Sequence, residues 1–244
     1  MLRYEMMLPH QIRTAIEKRW PVVLPLGVLE YHGEHLPVGM DTLAVTGILG
    51  ILETETDLVI LPPFYYGAAS YAVEPPESNG SLNVDAEALL PFAKAMFQGL
   101  LRIGFRNLHV VIHHQTENFA AGMPTDLENS RRVRRSSPFS RKIAERGGGD
   151  RRRWRLLRAA IGRRDPFNWI KTHPLMTPEA MEGYPFDHAG QGETSLMMAL
   201  FPDAVHLSRL SDEKWYVRSA KDASFELGAQ GRDRILAHLR VALR

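Results

Sequence analysis

The sequence predicts a three-layer α/β/α fold around a mainly parallel central sheet. Short Val- and Leu-rich runs alternate along the chain with segments of helical spacing, the runs are apolar throughout, and each is closed by Gly, Pro or a polar loop. A strand that is apolar at every position must be covered on both faces, which is the condition of a parallel sheet between two helical layers.

The elements follow in order. The opening MLPHQIRTAIEKRW has helical spacing at Ile12, Ala15 and Ile16, and PVVLPLGVLE after it reads as a buried strand. Beyond the polar loop YHGEHLPVGMD, TLAVTGILGILETE predicts a second helix, and DLVILPPFYYG a second strand stopped by paired prolines. A loop rich in Gly, Pro, Ser and Asn occupies Gly67 to Asn83. The segment VDAEALLPFAKAMFQGLLRIGF then predicts a long amphipathic helix, with Asp85 at the N-cap position and Gly104 at its stop. NLHVVI, from Asn107 to Ile112, predicts the third strand. Nearer the C-terminus, GQGETSLMMALF reads as a compact helix with Leu196, Met197 and Leu200 inward, AVHLSRL as a strand or edge segment, and GRDRILAHLRVALR as a closing amphipathic helix. No internal repeat is visible, and residues 1–244 are expected to form a single domain.

Composition narrows the chemistry. The chain has 244 residues, 44% of them hydrophobic and 24% charged, which excludes disordered and fibrous classes. There is no cysteine, so disulfides, thiolate metal sites and cysteine nucleophiles are excluded together, and His, Asp and Glu remain as strong ligands. No apolar run approaches the roughly 20 residues that span a bilayer, and the first residues lack a signal-peptide core; the expectation is a soluble, cytoplasmic protein.

The net charge of +2 conceals an asymmetry. Residues 131–164 hold thirteen Arg and one Lys against Glu145 and Asp150, a local charge of +12, so the remaining 210 residues carry about −10. Three readings are open for this atypical segment: a basic arm for nucleic acid or an acidic partner, a solvated insertion, or an out-of-frame stretch of a GC-rich gene, which the coding DNA would reveal. Only Phe139 and Trp154 interleave the charge, so nucleic acid is not the expected partner.

Three clusters carry chemistry. Glu30-Tyr31-His32-Gly33-Glu34-His35-Leu36-Pro37, followed by Asp41, lies beyond the carboxyl end of the first strand, where open α/β sheets place ligand sites. Glu30 and His32 share one side of an extended segment, and this mix of carboxylate and imidazole suits Zn²⁺, Mn²⁺ or Fe²⁺. The second cluster, His113-His114-Gln115-Thr116-Glu117-Asn118, follows the third strand and reaches the same sheet edge; His114 and Glu117 are the best additional ligands, with Gln115 and Asn118 orienting them or contacting substrate. The third is Asp187-His188-Ala189-Gly190-Gln191-Gly192-Glu193-Thr194, where His188 with Glu193 or Asp187 suits general acid or base work. His10, His109, His173, His206 and His238 stand alone and are read as structural.

These motifs resemble the creatininase (creatinine amidohydrolase) family. Glu30 to Pro37 with Asp41 resembles its E-x-H-G-x-H-L-P-x-x-x-D pattern, Tyr66-Gly67 and Gly80-Ser81-Leu82 its mid-chain loop, and His188-Ala189-Gly190 with Glu193-Thr194-Ser195 its H-A-G-x-x-E-T-S motif. The resemblance runs from about Pro21 to Leu210, apart from the basic segment. It implies a three-layer α/β fold, two divalent ions per subunit and a homohexamer, with Glu30, His32 and Asp41 as ligands, Asp41 bridging, and His188 assisting proton transfer. One motif departs: where the family reads N-G-H-G-G-N or H-Y-E-N, aligning Asn118 with the last Asn puts Gln115 on the His position, and His114 has to substitute. Asp165 to Leu200 also resembles a subgroup that hydrolyses the keto-inositol 3-dehydro-scyllo-inosose. The function expected is thus metal-dependent hydrolysis at the carbonyl of a small cyclic polar substrate, with His188, Glu193 and Glu117 in catalysis and Glu30, His32, Asp41, His114 and Glu117 on the metals. The alternatives are a binding protein acting through the basic segment, or a catalytically impaired relative.

Overall fold

The computed structural model describes residues 3–70, 73, 78–114, 169–211 and 213–244, together with the backbone of two short strands between 117 and 124. The basic segment 131–164 and Gln115 lie outside the described residues, as does the side chain of Glu117. Helix α1 is Pro9–Glu17, strand β1 Val22–Leu26, α2 Met40–Leu52, β2 Val59–Ile60, α3 Ala86–Ile103 and β3 Leu108–Ile112. Strands β4 (Glu117–Asn118) and β5 (Met123–Pro124) form a separate antiparallel pair. After them come β6 (Ile170–Pro174), α4 (Gln191–Leu200) and α5 (Phe225–Ala242).

The main sheet runs β2-β1-β3-β6 and every pairing in it is parallel. Alternation along the strands sends Val22, Leu24, Val59, Leu108 and Val110 to one face, where Ala15 of α1 and Phe97 and Leu100 of α3 cover them. Val23, Ile60 and Val111 face the other way, against α2, α4 and α5 through Ile48, Leu49, Leu196, Met197, Ile235 and Leu239. The two clusters make the three layers that the unbroken apolar runs predicted. Because β1 leads through α2 to β2 on one side while β3 lies on its other side, the chain diverges at the carboxyl ends of β1 and β3. That divergence opens the crevice in which α/β sheets bind ligands.

Two expectations need correction, and one strand carried no signal in the sequence. The segment AVHLSRL is not a strand: Pro202–Ala204 and Leu207–Arg209 are turns of 3₁₀-helix, since Pro202 supplies no N–H to a ladder. The fourth strand of the sheet is instead Ile-Lys-Thr-His-Pro, 170–174, half-buried throughout and without an apolar run to announce it. His109 and His173 do not stand alone; their Nδ1 and Nε2 atoms lie 2.9 Å apart on the sheet, and His109 is buried. Asp85 does occupy the N-cap of α3, although its side chain makes no capping hydrogen bond, and Gly104 ends that helix with a φ of 126°.

Helices α4 and α5 approach closely. Ser224 caps α5 through Leu227 N–H at 3.2 Å, and its own N–H donates to Ser195 Oγ at 3.0 Å. A Cβ on Gly228 of α5 would collide with the carbonyl oxygen of Ser195, a backbone atom that cannot swing away. Gly228→Ala should therefore destabilise the protein by about 1–3 kcal/mol despite Ala's better helix propensity. Urea unfolding measures it; an unchanged midpoint would show that the two helices can part at no cost.

Candidate metal centre

Gly27 follows β1 directly, and a Cβ there would lie 2.5 Å from Thr42 N. This close approach lets the first turn of α2 rest on the strand end, which carries Asp41 back over the loop that begins at Val28. Glu30 N–H bonds to Val38 O at 2.9 Å and closes that loop, while Tyr31 N–H bonds to Ser81 Oγ at 3.0 Å. Glu30, His32 and Asp41 are brought together with almost no exposed surface.

The hydrogen bonds behind the imidazoles decide which nitrogens face inward. His32 Nδ1 lies 3.0 Å from Glu30 O and donates to it, so Nε2 is the nitrogen that faces inward. That Nε2 is buried, makes no well-formed hydrogen bond, and lies 3.3 Å from Asp41 Oδ1 and 3.7 Å from both Glu30 Oε1 and Glu193 Oε2. His114 is held the opposite way round. Its Nε2 donates to Ala68 O at 2.8 Å, so Nδ1 faces Asp41 Oδ2 at 3.0 Å and Glu30 Oε1 at 3.2 Å. The other oxygen of Glu30 accepts from Ser70 N–H and Ser70 Oγ, each at 2.9 Å.

Asp41 thus offers one oxygen to each of two imidazoles. Its ligand-capable atoms fall into two groups, Glu30-Asp41-His114 and His32-Asp41-Glu193, in each of which the atoms lie within 4.8 Å of one another; Glu30-His32-His188 makes a further such group. Buried carboxylates and imidazoles of this density need a compensating charge. Burial disfavours the charged form of His32, but Asp41, Glu193 and Glu30 outweigh it and hold the imidazole up at about 10. For Asp41 burial likewise opposes ionisation, and His32 and His114 overcome it to hold the carboxyl well below the usual range. A buried His32 Nε2 aimed at three carboxylates, and an Asp41 carboxylate split between two imidazoles, are donors of the kind that bind divalent cations once the imidazole proton is displaced.

The second and third motifs are placed with consequences the sequence did not show. His113 faces Glu193, Nε2 to Oε1 at 3.0 Å, while Glu193 Oε2 accepts the Ala189 N–H at 2.6 Å beside His32. Ala189 takes a φ of 54°, a left-handed conformation that costs a non-glycine residue, and it turns that N–H onto the carboxylate. Glu193, expected as the partner of His188, therefore stands among the candidate ligands. Asp187 is not the partner either, since both its oxygens accept backbone N–H groups of α4, from Gly192 at 2.8 Å and Glu193 at 3.2 Å. His188 is oriented instead by the carbonyl of Tyr31, to which Nε2 donates at 3.1 Å, with its Nδ1 3.6 Å from Glu30 Oε1. No pattern in the sequence marks the carbonyls of Ala68 and Tyr31 or the hydroxyl of Ser70 as supports, because backbone acceptors carry no residue signature. A cavity opens onto Glu30, Asp41, His113, His114, His188 and Glu193, with Met176 and Phe186 adding an apolar wall.

The fold and motifs have known counterparts. The creatininase (creatinine amidohydrolase) family model matches residues 5–235. The creatinine amidohydrolase of Pseudomonas putida is 26% identical over 193 residues, covering 78% of this chain and 68% of the relative. The 3-dehydro-scyllo-inosose hydrolase of Thermotoga maritima is 23% identical over 208 residues, covering 83% of this chain and 57% of the relative, so the match spans little more than half of that longer protein. Among solved structures, creatininase Mn superposes with a TM-score of 0.72 at 21% identity, covering 100% of this chain and 97% of the other. A mutant creatininase of Zn-Zn type gives 0.70 at 21% identity, covering 99% and 96%. These two likenesses establish a shared fold.

Proposed function

Because the chain belongs to the creatininase family, we propose that it is a metal-dependent hydrolase acting on the carbonyl of a small, cyclic, polar substrate. The observation that carries this reading is the division of Asp41 between His114 at 3.0 Å and His32 at 3.3 Å. Glu30, Asp41 and His114 would hold one divalent ion of the Zn, Mn or Fe class, and His32, Asp41 and Glu193 a second. Such a pair supplies water acidified towards neutrality and a Lewis acid for the carbonyl oxygen.

The chain's own side chains do the rest. His188 lines the cavity, and with Nε2–H committed to Tyr31 O its Nδ1 is free to take a proton from the attacking water and return it to the leaving group. Ser70 and Ala68 fix Glu30 and His114 from behind, so neither has to reorganise during turnover. Met176 and Phe186 shield one side of the substrate from water. Glu117 belongs to the same proposal as a further ligand or base, and a homohexamer is its proposed assembly. Among the described residues, no helix is long and apolar enough to cross a membrane.

The bond proposed to break is either C–N in a cyclic amide or C–C in a cyclic ketone; the two relatives are named a creatinine amidohydrolase and a 3-dehydro-scyllo-inosose hydrolase. The test is elemental analysis of the purified protein, followed by a screen of creatinine and other cyclic amides against keto-inositols, with and without prior chelation. The expected result is two ions per chain and turnover that disappears on chelation and returns with Mn²⁺ or Zn²⁺. Full turnover in metal-free protein would remove the proposal.

A further inference from the structure

His35 lies in the loop between His32 and Asp41, is completely buried, and belongs to none of the ligand groups. Its Nε2 is 2.9 Å from Oγ1 of Thr194, the residue next to Glu193. That hydroxyl donates to Ala189 O at 3.4 Å, and Ala189 N–H in turn holds Glu193 Oε2. With the hydroxyl hydrogen committed, Thr194 Oγ1 accepts from His35 Nε2–H, which leaves the lone pair on Nδ1. Nδ1 is buried with no hydrogen-bond partner among the described residues. An apolar side chain of similar volume would fill the space without that desolvation penalty, so packing does not account for a histidine here. The bond to Thr194 does.

We infer that His35 is a positioning residue: through Thr194 it clamps the first turn of α4 against the first-motif loop and so fixes Glu193 opposite His32. The gap it controls is the 3.7 Å between His32 Nε2 and Glu193 Oε2, one side of the second ligand group. The inference rests on the metal-centre reading and is tested on the full chain by calorimetric titration of the metal-free protein with Mn²⁺. His35→Leu and Thr194→Val should each weaken one of two binding events about 10- to 100-fold, as loss of a support behind a ligand does, and leave the other within about 3-fold. The double variant should be no weaker than either single one within about 2-fold, because both remove the same bond. His35→Gln, whose amide N–H reaches the same place, should restore the affinity. A merely structural histidine would lower the melting temperature of the metal-free protein without separating the two affinities, and that result overturns the inference. So does wild-type affinity in Thr194→Val, which stays decisive if His35→Leu does not fold. A wild-type protein that binds no Mn²⁺ removes the metal-centre reading and this inference with it; unchanged affinities in the variants remove this inference alone.

Discussion

Asp41→Asn should leave a folded protein that retains neither ion and turns over at background rate. The side chain is isosteric and sits in the first turn of α2, so the helix and the packing of Gly27 on Thr42 are undisturbed. What changes is charge at the atom pair that faces both His114 and His32. An amide presents one oxygen and one NH₂ group, so at most one of the two imidazoles still sees an acceptor. With both ligand groups broken, the chain would no longer hold the ions that acidify water towards neutrality, and turnover should fall by on the order of 10⁴-fold or more. The same atoms bind protons in competition with metal. Because the carboxylates hold His32 up at about 10, loading must displace its proton, and apparent metal affinity should rise with pH through the neutral range. Elemental analysis and a titration at several pH values measure both effects. If Asp41→Asn keeps two ions, Asp41 does not bridge; Glu30→Gln, which touches one group directly, should by contrast lose one ion before the other.

The sequence made the layers legible, and the site only in part. Runs such as VVLPL and LHVVI announce buried central strands because both faces are apolar. Among the described residues the strand IKTHP lies at the edge of the main sheet, paired on one side with β3, and none of its residues is fully buried; its composition therefore matches that of a loop. Glu30, His32 and Asp41 were readable because one loop and one helix start carry all three. The roles of His113 and Glu193 were not, since the 3.0 Å bond between them joins residues 80 apart in the chain. Proximity in sequence paired Glu193 with His188, whereas the left-handed turn at Ala189 presents it to His32. A helix N-terminus tells which residues are near one another, but the turn before it decides which way they point.

The role of His188 separates two ways of reading the same cluster. Its Nδ1 is 3.6 Å from Glu30 Oε1, close enough that Glu30, His32 and His188 could serve one ion. Two facts favour a proton carrier instead. The groups sharing Asp41 are complete without it, and its side chain keeps 25% of its surface exposed where Glu30 keeps 1%, so it borders the space a substrate would enter. His32 packs against it with ring centroids 4.3 Å apart, and Tyr216 meets it edge-on at 5.0 Å, so the ring is held in place without a metal bond. His188→Gln should therefore retain two ions, bind substrate with nearly the same KM, and lose about 10²- to 10⁴-fold in kcat, the range for removal of a general acid–base. The loss should be smallest for substrates whose leaving group needs no proton. Loss of an ion from His188→Gln would make His188 a ligand and leave the proton transfer to Glu117. Metal content measured on the same sample as kcat decides between them, because a ligand and a proton carrier both lower turnover but only one of them carries metal away.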